Sequence, residues 1–178
     1  MLDLLTRELN SNEKLMWNEM PKQGVMLKAS DTFMIPFSIL WGGFAIFWEL
    51  GVLASGAPIF MALWGIPFVL VGLYMIFGRF IYDAKVRANT VYGLTENRAI
   101  IISGIFRKKT TSVNLRNLPE IKVSEKSDGS GTITLGSSGP MDFLQGSNWP
   151  GMGDLNPAFE GIPNVKHVKG LIHEYQNT

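Results

Sequence analysis

The stretch from Thr32 to Tyr82 leaves this chain few ways to fold, because Glu49 and Arg79 are its only charged residues. A helix over residues 33–54 would rise about 33 Å at about 1.5 Å per residue, close to the roughly 30 Å of hydrocarbon in a bilayer. Residues 58–82 supply a second segment of the same kind. Between them, Ser55-Gly56-Ala57-Pro58 has the composition of a turn, and Pro58 falls at a helix start, where its missing N–H is no loss. Burying two helices that are apolar all round would take more protein than 178 residues provide. The expected arrangement is a two-helix transmembrane hairpin over residues 32–82.

The flanks orient that hairpin. Lys22 and Lys28 precede it, Arg79, Lys85 and Arg87 close it, and the connecting turn is uncharged. The positive-inside rule then predicts a multi-pass protein of the inner (plasma) membrane with both termini and the soluble domain in the cytoplasm. Trp48 and Tyr82 fall where an interfacial aromatic belt would sit. Gly42, Gly43 and Gly51 on one span, with Gly65, Gly72 and Gly78 on the other, allow close backbone approach. Glu49 is an ionisable group inside a span, which by default marks function. Because it lies less than two turns before Ser55, its favoured reading is snorkelling to the interface. An intramembrane polar contact with another subunit is the other.

The polar segments follow a different period. Residues 1–31 hold a short amphipathic helix with Leu2, Leu4, Leu5 and Leu9 on one face, then a strand within Glu13–Pro21, both expected to pack on the soluble domain. Gly24–Lys28 reads as a further extended piece, and Asp31 as the cap of the first span. From Asn89 the chain turns β-rich: 89–95, 98–103, 108–115, 119–126 and 132–136 read as strands of one antiparallel meander, with Glu96-Asn97 a hairpin turn. Residues 137–156 are dense in Gly, Ser, Pro, Asp and Asn and read as an irregular loop, with Phe143, Leu144 and Trp149 tucked under the sheet. Pro163 opens a helix over 163–176 whose Val165, Val168, Ile172 and Tyr175 form one stripe. The fold class expected is an α+β membrane protein: the hairpin, plus a small antiparallel sheet or open barrel over 89–178 capped by the last helix.

Within this pattern, Tyr92-Gly-Leu-Thr-Glu-Asn-Arg98 is similar to the YxLTxxR hairpin of bacterial pleckstrin-homology-like (PH-like) domains. Phe159-Glu-Gly-Ile-Pro-Asn-Val-Lys-His-Val168 resembles the end of membrane-anchored members of that group, and Glu13-Lys-Leu-Met-Trp17 with Pro21 and Gly24 resembles their beginning. The resemblance spans nearly the whole chain. It implies a PH-like fold and a non-catalytic anchoring role, without implying phosphoinositide recognition.

Chemistry-bearing motifs are few. The absence of cysteine excludes disulfides, thiolate nucleophiles and sulfur metal sites. His167 and His173 are six apart on the last helix and do not share a face as an i, i+4 metal pair does. Neither a GxSxG elbow nor a phosphate-binding loop is present, so no catalytic residue, metal or cofactor is expected. Charge is uneven: residues 79–126 carry ten basic and four acidic residues, and residues 127–178 two and five. Within the basic half, Ile105-Phe106 precedes Arg107-Lys108-Lys109. At a hairpin tip these five would place apolar atoms among cations, as contact with anionic lipid headgroups requires, each cation contributing roughly 1 kcal/mol. Nucleic acid is not an expected partner, since interleaved aromatics and a recognition motif are lacking. The expected function is a membrane-anchored, non-catalytic binding or scaffold module contacting the lipid bilayer and anionic lipid, a partner protein, or a second copy as a homo-oligomer. Its competitor is an accessory subunit of a membrane transporter, protease or enzyme complex, bound through Glu49.

Overall fold

The structure is a computed structural model that describes residues 2–28, 30–136 and 157–176. The chain divides into two compact units. Among the described residues, the helical unit takes Val25–Asp83, and the β unit takes those up to Gly24 and those from Ala84 onward.

The helical unit holds α2 (Asp31–Ala54) and α3 (Ile59–Leu73), the latter continued by a π-helical turn (Tyr74–Gly78) into α4 (Arg79–Ala88). Both helical runs, Asp31–Ala54 and Ile59–Ala88, are long and apolar enough to cross a membrane. Small residues bring them together: a Cβ on Gly72 would lie 2.8 Å from the Gly42 Cα. Pro36 and Pro67 lie inside the helices without ending them.

The β unit begins with α1 (Leu2–Glu8) and β1 (Leu15–Glu19). Its remaining strands are β2 (Val91–Thr95), β3 (Arg98–Ser103), β4 (Lys109–Asn114), β5 (Ile121–Glu125), β6 (Gly131–Leu135) and β7 (Ala158–Ile162), followed by α5 (Val165–Gln176). The expected single meander is corrected to two sheets, β1-β2-β3-β4 and β5-β6-β7, every pairing antiparallel. The ladder breaks after β4 because Asn114 caps a 3₁₀ turn (Leu115–Asn117), its side chain accepting the Arg116 N–H at 2.9 Å. α5 starts at Val165 rather than at Pro163, because Asn164 adopts φ 50° just before it.

Period-2 alternation sorts the apolar side chains of β2 and β3 to two faces. Tyr92, Leu94, Ala99 and Ile101 enter the main core with Ile133, Leu135, Phe159, Ile162 and the α5 stripe Val165, Val168 and Ile172. Val91, Ile100 and Ile102 point the other way, where α1 covers them with the fully buried Leu5. Both faces being covered, β3 reads Ala-Ile-Ile-Ile without a polar break. Gly93 makes room for the docked helix, since a Cβ there would meet Leu5 Cδ2 at 2.8 Å. Phe143, Leu144 and Trp149 lie outside the described residues. Gly24–Lys28 forms no strand.

Candidate functional site

The YxLTxxR residues turn out to be fasteners. Tyr92 packs tilted by 43° against Phe159, ring centroids 5.0 Å apart, Phe159 also meets Trp17 at 5.5 Å, and the Tyr92 hydroxyl accepts the Glu160 N–H at 3.0 Å. One side chain of the first sheet thus ties down β7 of the second. Thr95 donates its hydroxyl to Glu13 Oε1 at 2.8 Å and accepts the Arg98 N–H at 3.1 Å, closing the β2–β3 turn. Arg98 grips Glu13 with two parallel bonds, Nε to Oε1 and Nη2 to Oε2, both 2.8 Å. Its Nη2 also donates to the Glu8 carbonyl at the end of α1, and its Nη1 to the Ser112 hydroxyl of β4. The Arg98 guanidinium, aided by the Asn10 N–H and the Thr95 hydroxyl, holds the Glu13 carboxyl down at about 2, well below the usual carboxylate range. A polar depression of about 410 Å³ beside the pair is lined by Asn10, Asn12, Asn97, Ser112 and Asn114, and its two charges neutralise each other.

The turn from β3 to β4 carries the five residues singled out for lipid contact. Gly104 adopts φ 124°, and a Cβ there would collide with the Arg107 carbonyl, so glycine is what lets this turn close. Phe106 is 96 % exposed, more than any other large apolar side chain among the described residues. Arg107, Lys108 and Lys109 are exposed beside it, Ile105 is half-buried, and Lys108 Nζ donates to the Asn89 carbonyl at 3.1 Å.

In the helical unit the polar groups face inward. Asp31 is corrected from helix cap to ion-pair partner: it is the first residue of α2, and its carboxylate accepts from Arg79 Nη1 at 2.6 Å and from the Lys28 N–H at 2.7 Å. Lys28 in turn pairs with Asp83 at 3.1 Å. Arg79 is 5 % exposed, donates through Nε to the Met75 carbonyl of the π-helical turn, and stacks on Phe80. Glu49 is half-buried: its Oε2 has no hydrogen-bond partner among the described residues and occupies the space left by the missing side chain of Gly65, beside the Trp48 ring.

The family model of the Bacterial PH domain matches this chain over residues 38–176. The chain belongs to that family. No curated protein and no solved structure matches it. In this Bacterial PH domain protein the matched segment starts inside α2, so both apolar helices fall largely within it. Membership supports a non-catalytic binding module, and among the described residues no group of three or more His, Cys, Asp or Glu is placed to hold a metal. His167 and His173 are both exposed.

The five tip residues therefore sit together, whereas Glu49 belongs to the helical unit and stands apart from them in the sequence and in its surroundings. Sequence reasoning missed the Asp31–Arg79 and Lys28–Asp83 pairs, because it counted Lys28 and Arg79 only as orienting cations. A signal was available. Two acids and two bases flank the two apolar runs at their polar ends, where a desolvated charge needs a partner.

Proposed function

We propose that this Bacterial PH domain protein is a binding and scaffold module held at the cytoplasmic face of the inner membrane by the α2/α3–α4 hairpin, with the β3–β4 tip touching anionic lipid. The observation that carries the anchoring is the outer surface of the helical unit, where Phe33, Leu40, Phe44, Phe47, Ile59 and Phe60 are all exposed. Contiguous apolar area on that scale is normal against lipid and untenable against water. Lys22, Lys85 and Arg87 lie on the flanks that the positive-inside rule assigns to the cytoplasm. Phe106 among Arg107, Lys108 and Lys109 supports the lipid contact: an apolar side chain gains by leaving water while nearby cations meet lipid phosphates.

The competing reading, an accessory subunit of a larger membrane complex, draws on Glu49, whose buried Oε2 lacks a hydrogen-bond partner among the described residues. Native mass spectrometry after mild detergent extraction separates the two, because a stoichiometric foreign subunit supports only the second.

The test of the lipid contact uses the full chain, since β1 and α1 complete the domain. The protein has no cysteine, so Phe106→Cys gives a single labelling site. An environment-sensitive fluorophore there should shift to the blue in nanodiscs containing anionic lipid and stay unshifted in zwitterionic ones. The shift should vanish in the Arg107→Gln/Lys108→Gln/Lys109→Gln variant and near roughly 0.5 M salt, where screening falls to a few ångströms. Identical spectra in both lipids would make the tip a solvated turn. Reporters fused before Met1 and after Thr178 should both read cytoplasm, and a periplasmic signal from either would overturn the two-crossing arrangement.

A further inference from the structure

We propose that the open edge of β4 takes up an extended peptide as an added strand, with a glutamine side chain of that peptide seated in the depression beside Glu13 and Arg98. β4 is the last strand of its sheet, and among the described residues no strand pairs with its far side. One hydrogen bond fixes which way its backbone groups face. The Leu115 N–H donates to the Asn97 carbonyl at 2.9 Å, which makes Arg98 and Asn114 a non-hydrogen-bonded pair. By antiparallel alternation, Ile100 with Ser112 and Ile102 with Thr110 are pairs of the same kind. The N–H and C=O groups of Thr110 and Ser112 therefore point away from β3.

A row of donors and acceptors at every second residue is matched by the backbone of another extended chain and by little else. Folded proteins ordinarily blunt such an edge with proline, a bulge or a charge. From Thr110 to Asn114 there is neither proline nor charge, and all six residues of β4 keep register with β3.

The depression is an independent observation and selects the side chain. Val113 packs against the main core, so Ser112, opposite Ile100, lies on the other face, the one that α1 shares. Ser112 and Asn114 line the depression there. A guest residue opposite Ser112 turns its side chain to that face and into the space of about 410 Å³. Arg98 and Glu13 are engaged with each other and with Thr95, Ser112, the Glu8 carbonyl and the Asn10 N–H. What the lining still offers are the side-chain amides of Asn10, Asn12 and Asn97 and the amide N–H groups of Asn114, which donate and accept without net charge. A charged guest would find its counter-charge already taken. An aliphatic guest would strip water from these amides without replacing its hydrogen bonds. Glutamine returns both kinds of bond on a long uncharged side chain. The residues on either side of it turn to the opposite face, beside Thr111 and Val113, where β-branched side chains fit.

The test uses the full-length protein in an uncharged maltoside detergent, with the fluorescein-labelled peptide Ser-Thr-Val-Gln-Val-Thr-Ser as the probe, read by fluorescence anisotropy. Saturable binding is expected. N-methylation of the central glutamine removes its backbone donor and obstructs the edge, and should weaken binding about tenfold or more. Thr110→Pro deletes an outward N–H while sparing the bonds to β3, and should do the same. Asn10→Ala/Asn12→Ala should weaken the glutamine peptide several-fold and leave unchanged a peptide with alanine in its place. Near-UV circular dichroism confirms that each variant is folded. Absence of saturable binding by the folded wild type, or undiminished binding of the N-methylated peptide or by Thr110→Pro, would overturn the strand addition. The same response of both peptides to the asparagine changes would overturn the glutamine seat. A dimer that Thr110→Pro dissociates, in a protein that ignores the peptide, would give the edge to a second copy and overturn the proposal as well. The assay contains no anionic lipid, so failure of the tip to contact lipid would leave its result untouched.

Discussion

In the β unit Phe159, Leu94 and Ile133 are sealed from solvent, whereas in the helical unit Met34 and Met75 share the inward positions with small and charged residues, Asp31, Ser38, Gly42, Gly72 and Arg79. There most of the large side chains, Phe47 and Leu40 among them, look outward. Both units face the same two demands, that apolar area leave water and that polar groups keep partners, and Glu49 Oε2 is an exception to the second. The hidden charges of the helical unit are accordingly paired across it, Asp31 with Arg79 and Lys28 with Asp83. On the anchoring proposed above, what differs is the surrounding medium. The chemistry of the side chains that each unit turns outward therefore reports its solvent more directly than its secondary structure does.

Matched truncations on the two sides test that contrast most severely. Phe159→Ala removes the ring that joins Trp17 to Tyr92 and should cost about 3–5 kcal/mol in denaturant unfolding of the detergent-solubilised chain. Phe47→Ala, which takes the same ring from an outward position, should cost within about 0.5 kcal/mol. Equal losses would mean that Phe47 is part of a packed core, and the inversion would fail.

The next effect is confined to the β unit and comes from acid. Glu13 ionises at about 2 in the folded chain against an ordinary value of 4.5, so its pairing with Arg98 stabilises fully above the ordinary value and fades as pH falls from there toward 2. About 2–3 kcal/mol should disappear over that window, and in Glu13→Gln this part of the pH dependence should be flat. A variant that loses stability along the same curve would show that other carboxylates govern the acid limb.

Smallest is the packing of the two helices. Gly72→Ala drives a methyl into the Gly42 backbone and should lower the thermal stability of the helical signal by about 1–2 kcal/mol. Gly43→Ala enters open space and should be neutral or slightly stabilising, since alanine is the better helix former. If both glycines respond alike, close approach at Gly42 and Gly72 is not what joins the helices.

Much of this was legible from local pattern. The apolar runs, the β2–β3 hairpin signal at Glu96-Asn97, and the stripe Val165, Val168, Ile172 all lie in windows short enough for periodicity to speak. What stayed hidden depends on contacts far apart in sequence. The split into two sheets hinges on a three-residue turn after Asn114, and β7 has only Ala-Phe-Glu-Gly-Ile, with a glycine at φ 61° breaking its alternation. In the YxLTxxR stretch, residue types were readable but purpose was not, because Arg98 finds Glu13 and Tyr92 finds Glu160 only after folding. The surroundings of Glu49 were hidden for a related reason, since only the helix register sets its carboxylate against Gly65.

The pairing of β1 with β2 has a consequence for biosynthesis. These neighbours in one sheet are separated in the chain by residues 20–90, which include both apolar helices. A nascent chain that threaded only one of those helices through a bilayer would strand β1 and β2 in different compartments. Such a chain would lack an edge strand, the docked Leu5 and the Glu13–Arg98 clasp, and would expose the β2 face to proteases. On the proposed two-crossing arrangement, closure of this sheet therefore requires that the chain return to the side from which it set out.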